Sequence, residues 1–273
     1  MKKLFVLLLS VMTIGASAQS IKMPQPSPTQ HIKQDFALSQ VEISYSRPSM
    51  KGRTIFGDLV PYEKLWRTGA NQPTTFTFGE DVTLNGKAVK AGTYSVITKP
   101  DRSAWTVMLC DPKVSASSYK TGDEKVAFMA TVVKMPMEIE TFTIMTSDHT
   151  SNSMEIGMMW SDVYVPIKVE ADIDSKIMAQ IDQVMTGDNL PYFNAASYYY
   201  ENGKDMEKAL MWANKAVAQQ PTAYWVSHLK AKIQAKSGDK KGAMETAKKS
   251  MELAEKAGNM DYVKLNKDLM GSM

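Results

Sequence analysis

Arg47, Lys51, Arg53 and Arg67 fall within 21 residues of one another, with Asp58 and Glu63 as the only acids among them, Trp66 beside Arg67 and Asn71 just beyond. Guanidinium groups are planar, permanently charged donor forks that suit carboxylates, phosphates or sulfates. Arg47, Lys51, Arg53, Glu63, Trp66, Arg67 and Asn71 therefore form a candidate binding set for an anionic small molecule or an acidic glycan. The same residues admit a structural reading. Long ordered loops need many internal hydrogen bonds, and Arg47, Arg53 and Arg67 can supply them by bonding the loop's own carbonyls, Asp58 and Glu63 while their stems cover apolar surface.

Other reactive residue types are scarce. The 273 residues hold one Cys and three His (His31, His149, His228), which excludes an intramolecular disulfide and leaves little for a thiolate or histidine metal centre. Cys110 closes an apolar run beside Asp111-Pro112, where a buried, inert thiol is expected. Asp148-His149-Thr150-Ser151 groups an acid, a base and hydroxyls, but sequence neighbours seldom form a triad and no nucleophile-elbow glycines surround Ser151. A polar hairpin turn is the expectation there. No P-loop, dinucleotide fingerprint, HExxH or EF-hand pattern occurs, so no cofactor is expected. The 21 Met include Met135, Met137, Met154, Met158 and Met159 in strand-like runs. Thioethers can bind Cu(I), but without an adjacent His these read as adaptable core filling, and no metal site is assigned.

The elements that must position these residues begin after a leader. Met1-Lys2-Lys3, an apolar run from Leu4 to Ile14 and Ala16-Ser17-Ala18 have the layout of a secretory signal peptide over residues 1–18, too short to span a bilayer. No Cys follows the cleavage point, so the expected product is an exported, periplasmic or secreted protein that is not lipid-modified and keeps no integral membrane segment. Cleavage removes two lysines, and the balance of 32 basic and 29 acidic residues becomes 30 and 29. A nucleic-acid partner thereby loses its electrostatic support.

Residues 19–36, with Pro24, Pro26 and Pro28, read as a linker. Over residues 37–170 short β-branched and alternating runs follow one another without helical periodicity, and Asn85-Gly86 separates two of them as a hairpin signal. That pattern predicts an antiparallel β-sandwich, of jelly-roll or immunoglobulin-like type. Residues 47–71 interrupt it as a 25-residue segment with its own apolar anchors, Ile55, Phe56, Leu59, Val60, Leu65 and Trp66; such a length in a compact domain marks a functional segment.

From residue 171 the period becomes helical. Ile173, Ile177, Ile181 and Val184 fall three or four apart behind Asp172 or Asp174 as N-cap, and Gly187-Asp188-Asn189 ends that helix. Ser197 and Ala231, Ala209 and Ala243, Ala213 and Ala247, and Ala216 and Ser250 are each 34 residues apart, the tetratricopeptide period. The first unit resembles that family from Phe193 through Tyr200, the Asn202-Gly203 turn and Pro221; the second is degenerate, with Ser227, Gln234 and Glu255 at signature positions, and residues 259–270 suit a capping helix. Tyr198, Tyr199, Tyr200, Trp212, Tyr224 and Trp225 read mainly as packing between these helices, with a concave peptide-binding face as the other role.

Arg47-Pro48, Gly52-Arg53, Ile55-Phe56-Gly57, Leu59-Val60-Pro61, Trp66-Arg67 and Gly69-Ala70-Asn71 carry a family resemblance, continued by Asp81, Asn85-Gly86, Ala91-Gly92-Thr93-Tyr94 and Trp105. Over about residues 37–170 the chain resembles the bacterial exported family known as domain of unknown function 2911. It departs from that pattern after Trp105, at Cys110 and Ser117-Ser118-Tyr119. The resemblance implies an envelope-associated β-domain, often with a helical repeat tail, and no mechanism. The expected architecture is α+β and multidomain: the β-sandwich followed by a tetratricopeptide-like bundle over residues 171–273. The expected function is a non-enzymatic ligand- or partner-binding module, with a protein partner on the helical repeat. The alternative is a hydrolase of an anionic envelope polymer or glycan, with Glu63 or Asp58 as acid or base and the arginines holding the substrate.

Overall fold

The computed structural model describes residues 23–186 and 190–273. The leader and the Gly187-Asp188-Asn189 turn lie outside the described residues. Two compact units divide between Ile173 and Asp174. The first is built of antiparallel sheets and the second of helices, an α+β arrangement.

In the first unit, β1 (Thr29–Phe36), β2 (Ser39–Ser46), β3 (Thr75–Phe78), β6 (Gly92–Lys99), β7 (Ala104–Cys110) and β8 (Glu124–Thr131) form a six-stranded sheet in that order. A second sheet has the order β5 (Lys87–Val89), β4 (Val82–Leu84), β10 (Ser153–Glu170), β9 (Val133–Ser147). Alternation directs one face of each strand inward: Val41, Ile43 and Tyr45 of β2 are buried, as are Phe76 and Phe78 of β3. Asn85 and Gly86 both adopt positive φ, 44° and 81°, the primed turn that joins β4 to β5.

Residues 29–36 differ from the linker reading. They pair with β2 along their whole length, from Thr29 opposite Ser46 to Phe36 opposite Ser39. Pro28 is the last proline before them, so every N–H the ladder needs is present. A strand alternating exposed and half-buried side chains at a sheet edge looks as polar as a linker.

β10 runs unbroken through 18 residues. Met154, Ile156, Met158 and Trp160 are buried on even positions; Val163, Val165, Ile167 and Val169 are buried on odd ones. The side-chain parity flips between Trp160 and Val163, where the register against β9 shifts on both sides of Ser161, the signature of a bulged, irregular stretch of pairing.

The second unit comprises α1 (Asp174–Val184), α2 (Tyr192–Glu201), α3 (Met206–Gln219), α4 (Tyr224–Lys236), α5 (Lys240–Lys256) and α6 (Met260–Gly271). Asp205, Asp239 and Asn259 cap α3, α5 and α6 by accepting from first-turn N–H groups. Ala209, Ala213, Ala216, Ala231, Ala243 and Ala247 are fully buried, so each helix packs closely on the next. No helix among the described residues is long and apolar enough to cross a membrane.

Candidate functional site

Residues 47–71 leave β2 and at once take a new partner. Phe142 N–H donates to Pro48 O at 2.8 Å, Met50 N–H donates to Glu140 O at 2.8 Å, and the Ser49 and Thr141 hydroxyls lie 2.9 Å apart. β9 is free for this pairing because it has parted from β10 there. Met159 faces Thr143, Ser161 faces Ile139 and Val163 faces Lys134, so β9 advances further than β10 across the stretch. Trp160 bridges the gap, its indole N–H donating to Glu140 O at 3.1 Å.

The chain then reverses at Lys51 and Gly52, both at positive φ, as Lys51 N–H donates to a Glu140 carboxylate oxygen. A tight turn follows in which Val60 N–H donates to Ile55 O. Gly57 belongs there because a Cβ would meet the Tyr62 ring at 3.0 Å and its φ is 94°. Trp66 bridges to Thr98 of β6 by two backbone bonds of 2.7 and 2.9 Å. Its indole stacks on Trp160 at 5.8 Å and meets Phe142 edge-on at 5.1 Å and Trp105 edge-on at 5.7 Å, an aromatic cluster fed by both sheets.

Of the eight non-glycine residues with positive φ among the described residues, Lys51, Glu63, Thr68 and Asn71 lie in this segment. Thr68 is the strained one, being β-branched. It is held by its hydroxyl, 3.0 Å from that of Thr98, and by its carbonyl, which accepts from the Thr74 hydroxyl at 2.6 Å.

The arginines bond mainly to carbonyls. Arg47 donates to Phe142 O and the Thr143 hydroxyl, Arg53 to Met50 O and Ser49 O at 2.9 and 2.7 Å, and Arg67 to Asn71 O. Asn71 in turn donates to Ser27 O. The tie-down geometry thus uses carbonyls, while Asp58 and Glu63 stay exposed. Lys51 and Glu63 are exposed, and Trp66 belongs to the aromatic cluster. The candidate set does not converge on one point.

Arg53 alone of that set lines the cleft that the segment builds. This cleft, of about 370 Å³, is walled by Gly52, Thr54, Phe56 and Tyr62 from the segment and by Lys134, Glu138, Ser161 and Asp162 from β9 and β10. Lys134, mostly exposed, pairs with the partly exposed Asp162 at 2.6 Å, and the Ser161 hydroxyl lies 3.5 Å from Glu138. Ser161 itself sits at φ 51°, so the bulge that reverses the parity of β10 also places a strained residue on the cleft wall. A smaller recess of about 70 Å³ shares Phe56, Tyr62 and Lys134 with it and adds Asp101 and Arg102, the guanidinium of which lies 4.7 Å above the Tyr62 ring.

Sequence reading omits Lys134, Glu138, Ser161 and Asp162. The one signal for them is the parity change between Trp160 and Val163, with two polar residues at the break.

The remaining candidates occupy ordinary places. Cys110 is fully buried, and burial, with Glu124 and Asp123 adding to it, pushes its thiol up to about 11, unfavourable for a thiolate. Thr150 closes a turn by accepting from Ser153 N–H, and His149 is exposed beside it. Met154 and Met158 are core residues, whereas Met137 is exposed. No group of three His, Cys, Asp or Glu able to hold a metal ion occurs among the described residues.

Comparison with known proteins follows the boundary between the units. The family model described as protein of unknown function (DUF2911) matches residues 27–169, from just before β1 to the end of β10 and more than half of the chain. No curated protein and no solved structure matches.

Proposed function

The chain belongs to the DUF2911 family, and from that premise we propose that it is an exported, non-enzymatic binding protein. Its β unit, a sandwich in this reading, holds a small polar ligand in the cleft between residues 52–62 and the β9–β10 bulge. Its helical unit is a tetratricopeptide-like module for a protein partner. The observation that carries the reading is the cleft itself: two cations and two carboxylates from three separate stretches of chain meet on a wall stiffened by a bulge. Its volume lies within the range of small-molecule sites, about 300–1,000 Å³. Catalysis by Asp58 or Glu63 gains no support, because neither lines the cleft. The leader pattern of residues 1–18 supports export. For the helical unit, the 34-residue offsets coincide with burial, since Ala209 and Ala243, and Ala213 and Ala247, are equivalent fully buried pairs on α3 and α5.

A screen of small carboxylates, amino acids and acidic sugars by thermal shift tests the cleft. A ligand that raises the melting temperature of the native protein should lose at least tenfold in affinity against the Lys134→Ala/Asp162→Asn double variant. Because both side chains are exposed, that variant should melt within about 0.5 kcal/mol of the parent. Ligand shifts of unchanged size in the double variant would refute the assignment.

A further inference from the structure

We infer that the cleft takes a small zwitterion, a ligand with one ammonium and one carboxylate group such as a free amino acid or a short peptide with open termini. This rests on the reading of the cleft as a ligand site and narrows its ligand class. Arg53 and Lys134 face the same space as Glu138 and Asp162, so the formal charge of the wall is zero. A polyanion entering it would meet two carboxylates, and a polycation two cations. A ligand of zero net charge with separated opposite ends meets a complementary partner at each end.

The members of the wall differ in availability. Arg53 has Nε and one Nη committed to the Met50 and Ser49 carbonyls, which fix the guanidinium plane without neutralising it. Its remaining N–H groups form a positioned fork for a carboxylate. Among the described residues the Glu138 carboxylate accepts only from the distant Ser161 hydroxyl, at 3.5 Å, and being exposed it can accept from an ammonium. Lys134 and Asp162 already satisfy each other at 2.6 Å, yet their side chains keep 62% and 42% of their exposure, so the pair can open onto a longer ligand at little cost. Asp101 and Arg102 at the adjoining recess continue the alternation of sign beyond Tyr62. The bulge at Ser161 and the paired turn at Lys51-Gly52 hold the two walls before any ligand arrives, which limits the ordering cost of binding.

Calorimetric titration and amide NMR of the full chain decide the matter, with five probes: L-alanine, L-alanyl-L-alanine, N-acetyl-L-alanyl-L-alanine, L-alanyl-L-alanine amide and glucuronate. The expected result is binding of L-alanine, L-alanyl-L-alanine or both, with shifts at Gly52 and Ser161, at least tenfold tighter than either capped dipeptide; the stronger of the two tells amino acid from peptide. Glu138→Gln should abolish the penalty for N-acetylation while leaving the penalty for amidation, a split that a merely structural Glu138 would not produce. If glucuronate or the acetylated dipeptide binds as well as the open dipeptide, the zwitterion inference is overturned and the ligand site stands. If no probe perturbs Gly52 or Ser161, the inference is overturned outright, and the broader ligand screen judges the site itself.

Discussion

Residues 47–71 and the run of helices from α2 to α6 meet the same requirement, a partner for every buried peptide group, by opposite means. The helices satisfy their backbone internally, and their side chains are left to manage packing. Alanine dominates the contact surfaces because the helices approach until only a methyl fits. The segment has no ladder of its own. Several of its carbonyls are met by guanidinium groups and a threonine hydroxyl, and its course is set by positive φ at Lys51, Glu63, Thr68 and Asn71. Charge is therefore a structural material in one region and a surface property in the other. An arginine-rich stretch in a sequence is as consistent with a segment that must hold itself together as with one that must hold a ligand.

The contrast can be broken at its strongest point by enlarging a buried alanine. Ala247→Leu should destabilise the helical unit by about 1–3 kcal/mol through overpacking, measured by urea titration at 222 nm. A smaller effect is expected from the conservative-looking Arg47→Lys, which keeps the charge and loses the fork that serves both Phe142 O and the Thr143 hydroxyl. A loss of about 1 kcal/mol in β-unit stability would sharpen the contrast, and no loss would dissolve it.

The smallest effect concerns pH. Burial holds the His228 imidazole below its ordinary value, against the hydrogen bond its Nδ1 makes to the Asn266 amide oxygen, and nearby Lys232 lowers it further. The unfolded chain therefore takes up a proton that the folded chain refuses. Stability should be full above about pH 6.5 and decline as pH falls below it toward the lower folded-state value. Helical melting curves across pH 4–8 should show this slope in the parent and lack it in His228→Gln.

The hairpin at Asn85-Gly86 is legible from sequence because both residues tolerate positive φ, and the helices are legible because one face repeats every three or four residues. β1 is not, since an edge strand with one wetted face carries the composition of a linker. For the site, sequence locates the segment and its strain-bearing glycines, and of seven candidate residues only Arg53 reaches the cleft. Arg47, Arg67 and Asn71 are drawn to backbone carbonyls and Trp66 to the aromatic cluster. Lys134 and Glu138 stay unseen for a related reason, since the register of β9 against β10 gives them their place, while Ser161 and Asp162 are marked only by the parity change between Trp160 and Val163.

The bridge between the segment and β9 also has a consequence in time. Ser49 and Thr141 are 92 residues apart, and Lys51 and Glu140 are 89 apart. Closing so long a loop costs entropy before it returns any contact, which places this seam late in folding and first among the parts that open. During synthesis from the N-terminus, residues 47–71 emerge long before their partner strand. A nascent chain therefore carries the arginine segment without a cleft until Ser161 and Asp162 of β10 have been made.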